Sequence, residues 1–120
     1  MQAKYDFSGQ SALLIGATTG IGRATALAFA DAGANLYIAG VGADEGATLK
    51  AEIEAKRKGA VEFAEVDVRD EDAMRVLHER AFERFGRIDV AFNNAGVPGK
   101  TVPVQDLSTE DYTRIMDINL

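Results

Sequence analysis

The 120-residue chain reads as an α/β protein: a doubly wound parallel sheet with helices on both faces. Three observations predict this. Short, branched apolar runs alternate with helix-forming stretches about every 25 residues. A glycine-rich turn, Gly16-Ala17-Thr18-Thr19-Gly20-Ile21-Gly22, joins the first run to the first helix. A second turn, Asn93-Asn94-Ala95-Gly96, follows the fourth run. Right-handed crossovers between four such strands give the order 3-2-1-4.

Residues 1–10 read as a short leader, with Tyr5 and Phe7 packing on the sheet edge. Ser11–Ile15 is continuously apolar after its serine, as in a strand buried on both faces. The first helix runs from Gly20 to Ala32, with Ile21, Ala24, Thr25 and Ala28 at helical spacing and Gly33 as its stop. Asn35–Ala39 is the second strand, broken by Gly40-Val41-Gly42. A helix from about Ala43 to Lys58 buries Leu49 and Ile53 and ends at Gly59. Val61–Val66 is the third strand, placed nearer an edge because Glu62 and Glu65 interrupt it.

Asp70 is a capping residue for the next helix, with Glu71 and Asp72 in its first turn, where acids are favoured. That helix turns Ala73, Val76, Leu77, Ala81 and Phe85 inward and stops at Gly86. Ile88–Phe92 is the fourth strand. The last helix starts at Ser108, with Asp111 completing a capping box and Leu107 and Tyr112 forming a hydrophobic staple. It continues to Leu120, and Tyr112, Ile115, Met116 and Asn119 share one stripe expected to face the core.

Composition bounds the function. A hydrophobic share of 47% is ordinary for a globular chain able to build a core. The net charge of −6 and the lack of any basic stretch beyond Lys56-Arg57-Lys58 argue against a nucleic-acid partner. No apolar run approaches the roughly 20 residues of a membrane span, and the first residues lack a signal peptide's apolar core. Without cysteine there is no disulfide framework or thiolate metal site, and no metal is expected. The expectation is a soluble, cytoplasmic protein.

A strand that turns on glycines into a helix aims free N–H groups and the positive end of the helix dipole at one spot. That spot suits a phosphate. The strand order reverses between strands 1 and 4, and both glycine-bearing turns fall at that switch point, where open α/β sheets bind ligands. A tight turn using glycine only for backbone freedom is the plainer reading of the first loop, and an ordinary strand-ending turn that of the second. Gly99-Lys100-Thr101 is not a P-loop, because Asn94 stands where that motif needs its first glycine. His78, the sole histidine, is a surface residue in mid-helix.

Ile15-Gly16-Ala17-Thr18-Thr19-Gly20-Ile21-Gly22, Asp67-Val68, Asn93-Asn94-Ala95-Gly96 and Asn119 together resemble the short-chain dehydrogenase/reductase family over essentially the whole chain. The resemblance implies a Rossmann-type fold and a bound nicotinamide cofactor, NAD or NADP. It places the pyrophosphate on Gly16, Thr18, Thr19, Gly20, Ile21 and Gly22. Asp67 and Val68 would meet the adenine, and Val41, in the break after strand 2, also counts among the cofactor-binding residues. Asn93, Ala95 and Gly96 would meet the ribose and the floor of the site. Asn119 matches the asparagine of the family's catalytic tetrad; a satisfied core amide is the plainer reading. Asp67 as a simple helix-leading residue also stays open, since Asp70 competes for the cap.

The resemblance further implies hydride transfer between nicotinamide and a small carbonyl or alcohol substrate, in a homo-oligomer. The family's tyrosine and lysine stand as Tyr-x-x-x-Lys, but Tyr5, Tyr37 and Tyr112 are followed at that spacing by Gly9, Val41 and Met116. Residues 1–120 are therefore expected to be a truncated sequence, the N-terminal cofactor-binding half of a single domain whose C-terminal half is absent, and inactive alone. The alternative is a non-catalytic dinucleotide-binding or interaction protein built on a half sheet. Gly40-Val41-Gly42 offers neither the acid that would select NAD nor the arginine that would select NADP, and Asp44 reaches back only if the loop folds over.

Overall fold

Among the described residues, four strands alternate with four helices: β1 (Ser11–Ile15), α1 (Gly20–Asp31), β2 (Asn35–Gly40), α2 (Ala43–Ala55), β3 (Val61–Glu65), α3 (Glu71–Phe85), β4 (Val90–Asn93) and α4 (Thr109–Asn119). The computed structural model describes residues 4–56, 58–95, 105 and 108–119, with the backbone alone at 115 and 119. The expected Leu107 staple and Gly96 therefore lie outside the described residues.

The strands form one parallel sheet in the order β3-β2-β1-β4. β1 is central, and all five of its residues are buried, which is why its sequence is apolar without alternation. Its odd and even side chains serve different cores. Ala12 and Leu14 join Leu36 and Ile38 of β2 under α1 and α2. Leu13 and Ile15 join Tyr37 and Ala39 under α3. Helices thus cover both faces of the sheet.

α1 does not bury the expected stripe. Ile21 is 71% exposed and Ala24 and Ala28 also face outward, while Gly22, Ala26 and Ala30 are buried. Small residues fall on every side of the helix among a few larger ones, so periodicity alone does not pick its inner face. The close seat of Gly22 on the loop beneath it does.

α2 buries Leu49 and Ile53 as expected and ends earlier, at Ala55. Its Gly46 is required by packing, because a Cβ there would overlap the Phe63 ring of β3. α3 is capped by Asp70, whose carboxylate accepts from the Ala73 N–H at 3.0 Å, and stops at Gly86 with φ +73°. Leu77 and Ala81 are its buried residues, and Phe85 packs edge-on to Tyr37 with ring centroids 6.4 Å apart.

β4 begins at Val90, later than the sequence suggests, and extends to Asn93. The preceding Asp89 accepts from the Ser11 N–H at 2.8 Å, holding the start of β1. Phe7 is half-buried and packs edge-on against Phe29 at 5.1 Å, whereas Tyr5 is 71% exposed. The leader therefore docks through Phe7 on α1. Tyr112 of α4 is 55% exposed and so does not face a core as its spacing suggests; among the described residues neither apolar core draws on α4.

Candidate functional site

At the end of β1 the chain turns at Gly16, with φ +79°. A Cβ on Gly16 would sit 2.5 Å from the Ala95 nitrogen and 2.7 Å from the Asn94 carbonyl carbon. The turn after β4 therefore lies directly against the glycine loop. Asn94 secures it by donating its N–H to the Ile15 carbonyl at 2.9 Å. The switch-point juxtaposition expected from the strand order is present in the fold.

Gly22, in the first turn of α1, has no room for a side chain, because a Cβ would overlap the Gly16 carbonyl. This contact seats the start of α1 on the end of β1. Thr19 is the extended N-cap residue of α1, yet it makes no side-chain cap bond, and the first turn holds no acid. The first helical bond runs from the Arg23 N–H to the Thr19 carbonyl at 3.2 Å. The N–H groups of Gly20, Ile21 and Gly22 precede it and lack a helical acceptor. α3 contrasts sharply, being capped by its own Asp70 and flanked by Glu71 and Asp72. An uncapped helix N-terminus without acids suits an anionic group.

These elements border a cleft of about 470 Å³. Gly16, Thr18, Thr19, Gly20 and Ile21 form one wall. Gly40 and Val41 follow from β2, and Val66, Asp67, Val68 and Arg69 from the segment after β3. Asn94 and Ala95 close it from β4, with Arg114 and Ile118 of α4 at the rim. Ile21 and Val41, 71% and 64% exposed, supply apolar surface here that the cores do not use.

Thr18 is 6% exposed, and its hydroxyl donates to the Val41 carbonyl at 2.9 Å. It braces the glycine loop against the end of β2, and its hydroxyl proton is already committed. Thr19 and Gly20 are exposed and open to a ligand. Gly20 has φ +58°, and nothing lies within 4 Å of where its Cβ would stand.

Asp67 is not the cap of α3, since Asp70 holds that role. Its carboxylate accepts from the Arg69 backbone N–H at 3.0 Å and from the Arg69 guanidinium at 2.7 Å. The Arg69 guanidinium and backbone bonds hold its pKa down at about 2. It is therefore ionised and already paired at the cleft wall.

Asn93 pairs with Ile15 in the sheet and is not among the cleft's lining residues; Asn94 and Ala95 are. Of the two adjacent asparagines it is the second, just past β4, whose side-chain amide reaches the Gly16 carbonyl, at 3.4 Å. Arg69 and Arg114 line the cleft without having been singled out. The Asp67–Arg69 spacing is the sequence signal that points to the first. Asn119 lies in α4, with its side chain outside the described residues. His78 is exposed, with Nδ1 2.8 Å from the Met74 carbonyl of its own helix. Among the described residues, no helix is long and apolar enough to cross a membrane.

The chain belongs to the short chain dehydrogenase family, whose profile matches residues 10–120. It is 39% identical over 108 residues to a 3beta-hydroxysteroid dehydrogenase of Mediterraneibacter gnavus, an alignment covering 90% of this chain and 39% of that one. It superimposes on NAD+-bound xylitol dehydrogenase with a TM-score of 0.89 at 33% identity, covering 95% of this chain and 44% of the other. A metagenomic short-chain oxidoreductase in complex with NADP gives a TM-score of 0.88 at 29% identity, covering 95% and 51%. The chain thus spans about half the length of these relatives or less, between 39% and 51%.

Proposed function

We propose that this chain is the N-terminal, cofactor-binding half of a single Rossmann-type domain. The complete protein is then an NAD(P)-dependent oxidoreductase acting between a carbonyl and its alcohol. The observation that carries this reading is the uncapped, acid-free start of α1, opening on a cleft at the switch point of the sheet. The bound nicotinamide dinucleotide supplies the hydride acceptor or donor. Everything else asked of this chain is binding and orientation.

In this reading the N–H groups of Gly20, Ile21 and Gly22 donate to the pyrophosphate, with Gly16 giving close backbone approach. Thr19 stands beside them with an exposed side chain, and Thr18 keeps the loop in place. Ile21 and Val41 cover apolar parts of the cofactor, and Asp67 and Val68 flank the adenine. Asn94 and Ala95, which line the cleft, attend the ribose side with Gly96, and Asn93 acts through its place at the end of β4; Asn119 is the positioning amide of the reaction centre.

The proton transfer that must accompany hydride transfer needs an acid/base pair that residues 1–120 do not supply at the Tyr-x-x-x-Lys spacing. Two measurements test the reading. Calorimetric titration of the complete protein with NADH and NADPH should show binding at one site, and binding of neither overturns it. The 120-residue chain should show no turnover with either cofactor and a panel of ketones; robust turnover would sink the claim that the remaining half is required.

A further inference from the structure

β2 ends on Gly40 and is followed by Val41-Gly42, so the position that commonly presents a charge to the adenosine ribose presents none. The fold supplies one from the next helix. Gly42 has φ +90°, and a Cβ on it would lie 2.5 Å from Oε2 of Glu45. The Glu45 carboxylate is therefore folded back over the β2–α2 turn, close against Gly42. With Asp44 it borders a groove whose opposite wall is Thr18, Thr19 and Gly20, the loop that also walls the main cleft.

The nearby cations are already engaged. Arg23 borders the same groove, but its guanidinium contacts both carboxylate oxygens of Glu52 on α2. Arg69, at the far wall of the main cleft, is held by Asp67 at 2.7 Å. Among the described residues no cation is paired with Glu45 or Asp44. A ribose diol reaching this corner finds a carboxylate acceptor. A 2′-phosphate in this groove finds two negative charges, and the guanidinium that borders it, that of Arg23, is taken up by Glu52.

We infer that Glu45 is a specificity-determining residue that selects the unphosphorylated ribose, making the protein an NAD(H) rather than NADP(H) binder. The inference rests on the dinucleotide reading proposed above. It assigns the choice to a residue in the first turn of α2 rather than to the end of β2. Hydrogen bonds from the diol to an ionised carboxylate favour NADH, while repulsion between like charges disfavours NADPH.

The test is fluorescence titration of the complete protein with NADH and NADPH at low ionic strength, alongside Glu45→Gln and Asp44→Asn. NADH should bind at least about tenfold more tightly than NADPH in the unaltered protein. Glu45→Gln keeps the side-chain volume and should narrow that ratio while lowering the thermal midpoint only slightly, through the lost charge at the start of α2; Asp44→Asn should change the ratio less. Equal or tighter binding of NADPH by the unaltered protein overturns the inference. A ratio unmoved by Glu45→Gln, or moved more by Asp44→Asn, overturns the assignment to Glu45. Binding of neither dinucleotide overturns the underlying functional reading instead.

Discussion

Gly22 and Gly16 lie so close that a side chain on the first would occupy the place of the second's carbonyl oxygen. This contact makes the start of α1 a fixed continuation of β1 and sets where its free N–H groups point. Gly20, two residues earlier in the chain, has open space where its Cβ would stand. The two glycines therefore answer differently to the same substitution. Gly22→Ala must push α1 off the loop and should cost about 1–3 kcal/mol or more in chemical denaturation. Gly20→Ala meets only the strain of φ +58°, about 1–2 kcal/mol, yet places a methyl in the cleft and should weaken dinucleotide binding. Equal stability losses would mean that the Gly22 contact relaxes freely.

The Thr18 hydroxyl joins residues from two different crossover units, the glycine loop and the end of β2. Thr18→Val keeps the shape and removes the donor, leaving the Val41 carbonyl without it. The expected loss is about 1 kcal/mol, read from urea denaturation. Thr18→Ser keeps the donor and should retain most of that stability. A serine variant as unstable as the valine variant would assign the effect to packing against Gly40, whose Cβ position lies 3.0 Å from the Thr18 methyl.

Asp67 predicts a pH dependence. Its folded pKa of about 2 lies below the ordinary 3.8, so the ionised form is the one the fold stabilises. The contribution is complete above the ordinary value and disappears as pH falls from roughly 4 to roughly 2. Both partners are about half exposed, so solvent screening limits it to below about 1 kcal/mol. Comparing Asp67→Asn with the unaltered protein across that range checks it. The difference between the two should shrink as the pH is lowered.

β4 pairs with β1 along one side, and its other side has no partner strand among the described residues. That side presents backbone N–H and C=O groups, and neither charge nor proline interrupts Val90–Asn93. The 120-residue chain should therefore self-associate, its weight-average sedimentation coefficient rising with concentration. A clean monomer at every loading would count against this.

The capping chemistry of α3 was legible in sequence because both of its ends are local. Asp70 reaches the Ala73 N–H three residues on, and Gly86 adopts the positive φ that glycine alone tolerates cheaply. Ser11–Ile15 was equally plain, since burial on both faces removes polar residues from the whole strand. The inner face of α1 was not. A helix of alanines, glycines and scattered larger residues offers several apolar stripes, and the one predicted left Ile21 outside. Tyr112 misled for a related reason, because helical spacing describes a stripe without saying what lies opposite it.

By itself the sequence determined the alternation of strands and helices, the strand order and the place where the two glycine turns meet. Each of these follows from short-range demands: period, burial on one or both faces, and the handedness of crossovers. Only the tertiary structure decided that Thr18 braces Val41, that Arg23 is taken up by Glu52, and that Glu45 rather than Asp44 folds over Gly42. The first two pair side chains and backbone brought together by the βαβ crossover, and the third turns on the path of one loop. No local pattern encodes them, because the distances involved are set by how α1 and α2 come to rest on the same face of the sheet.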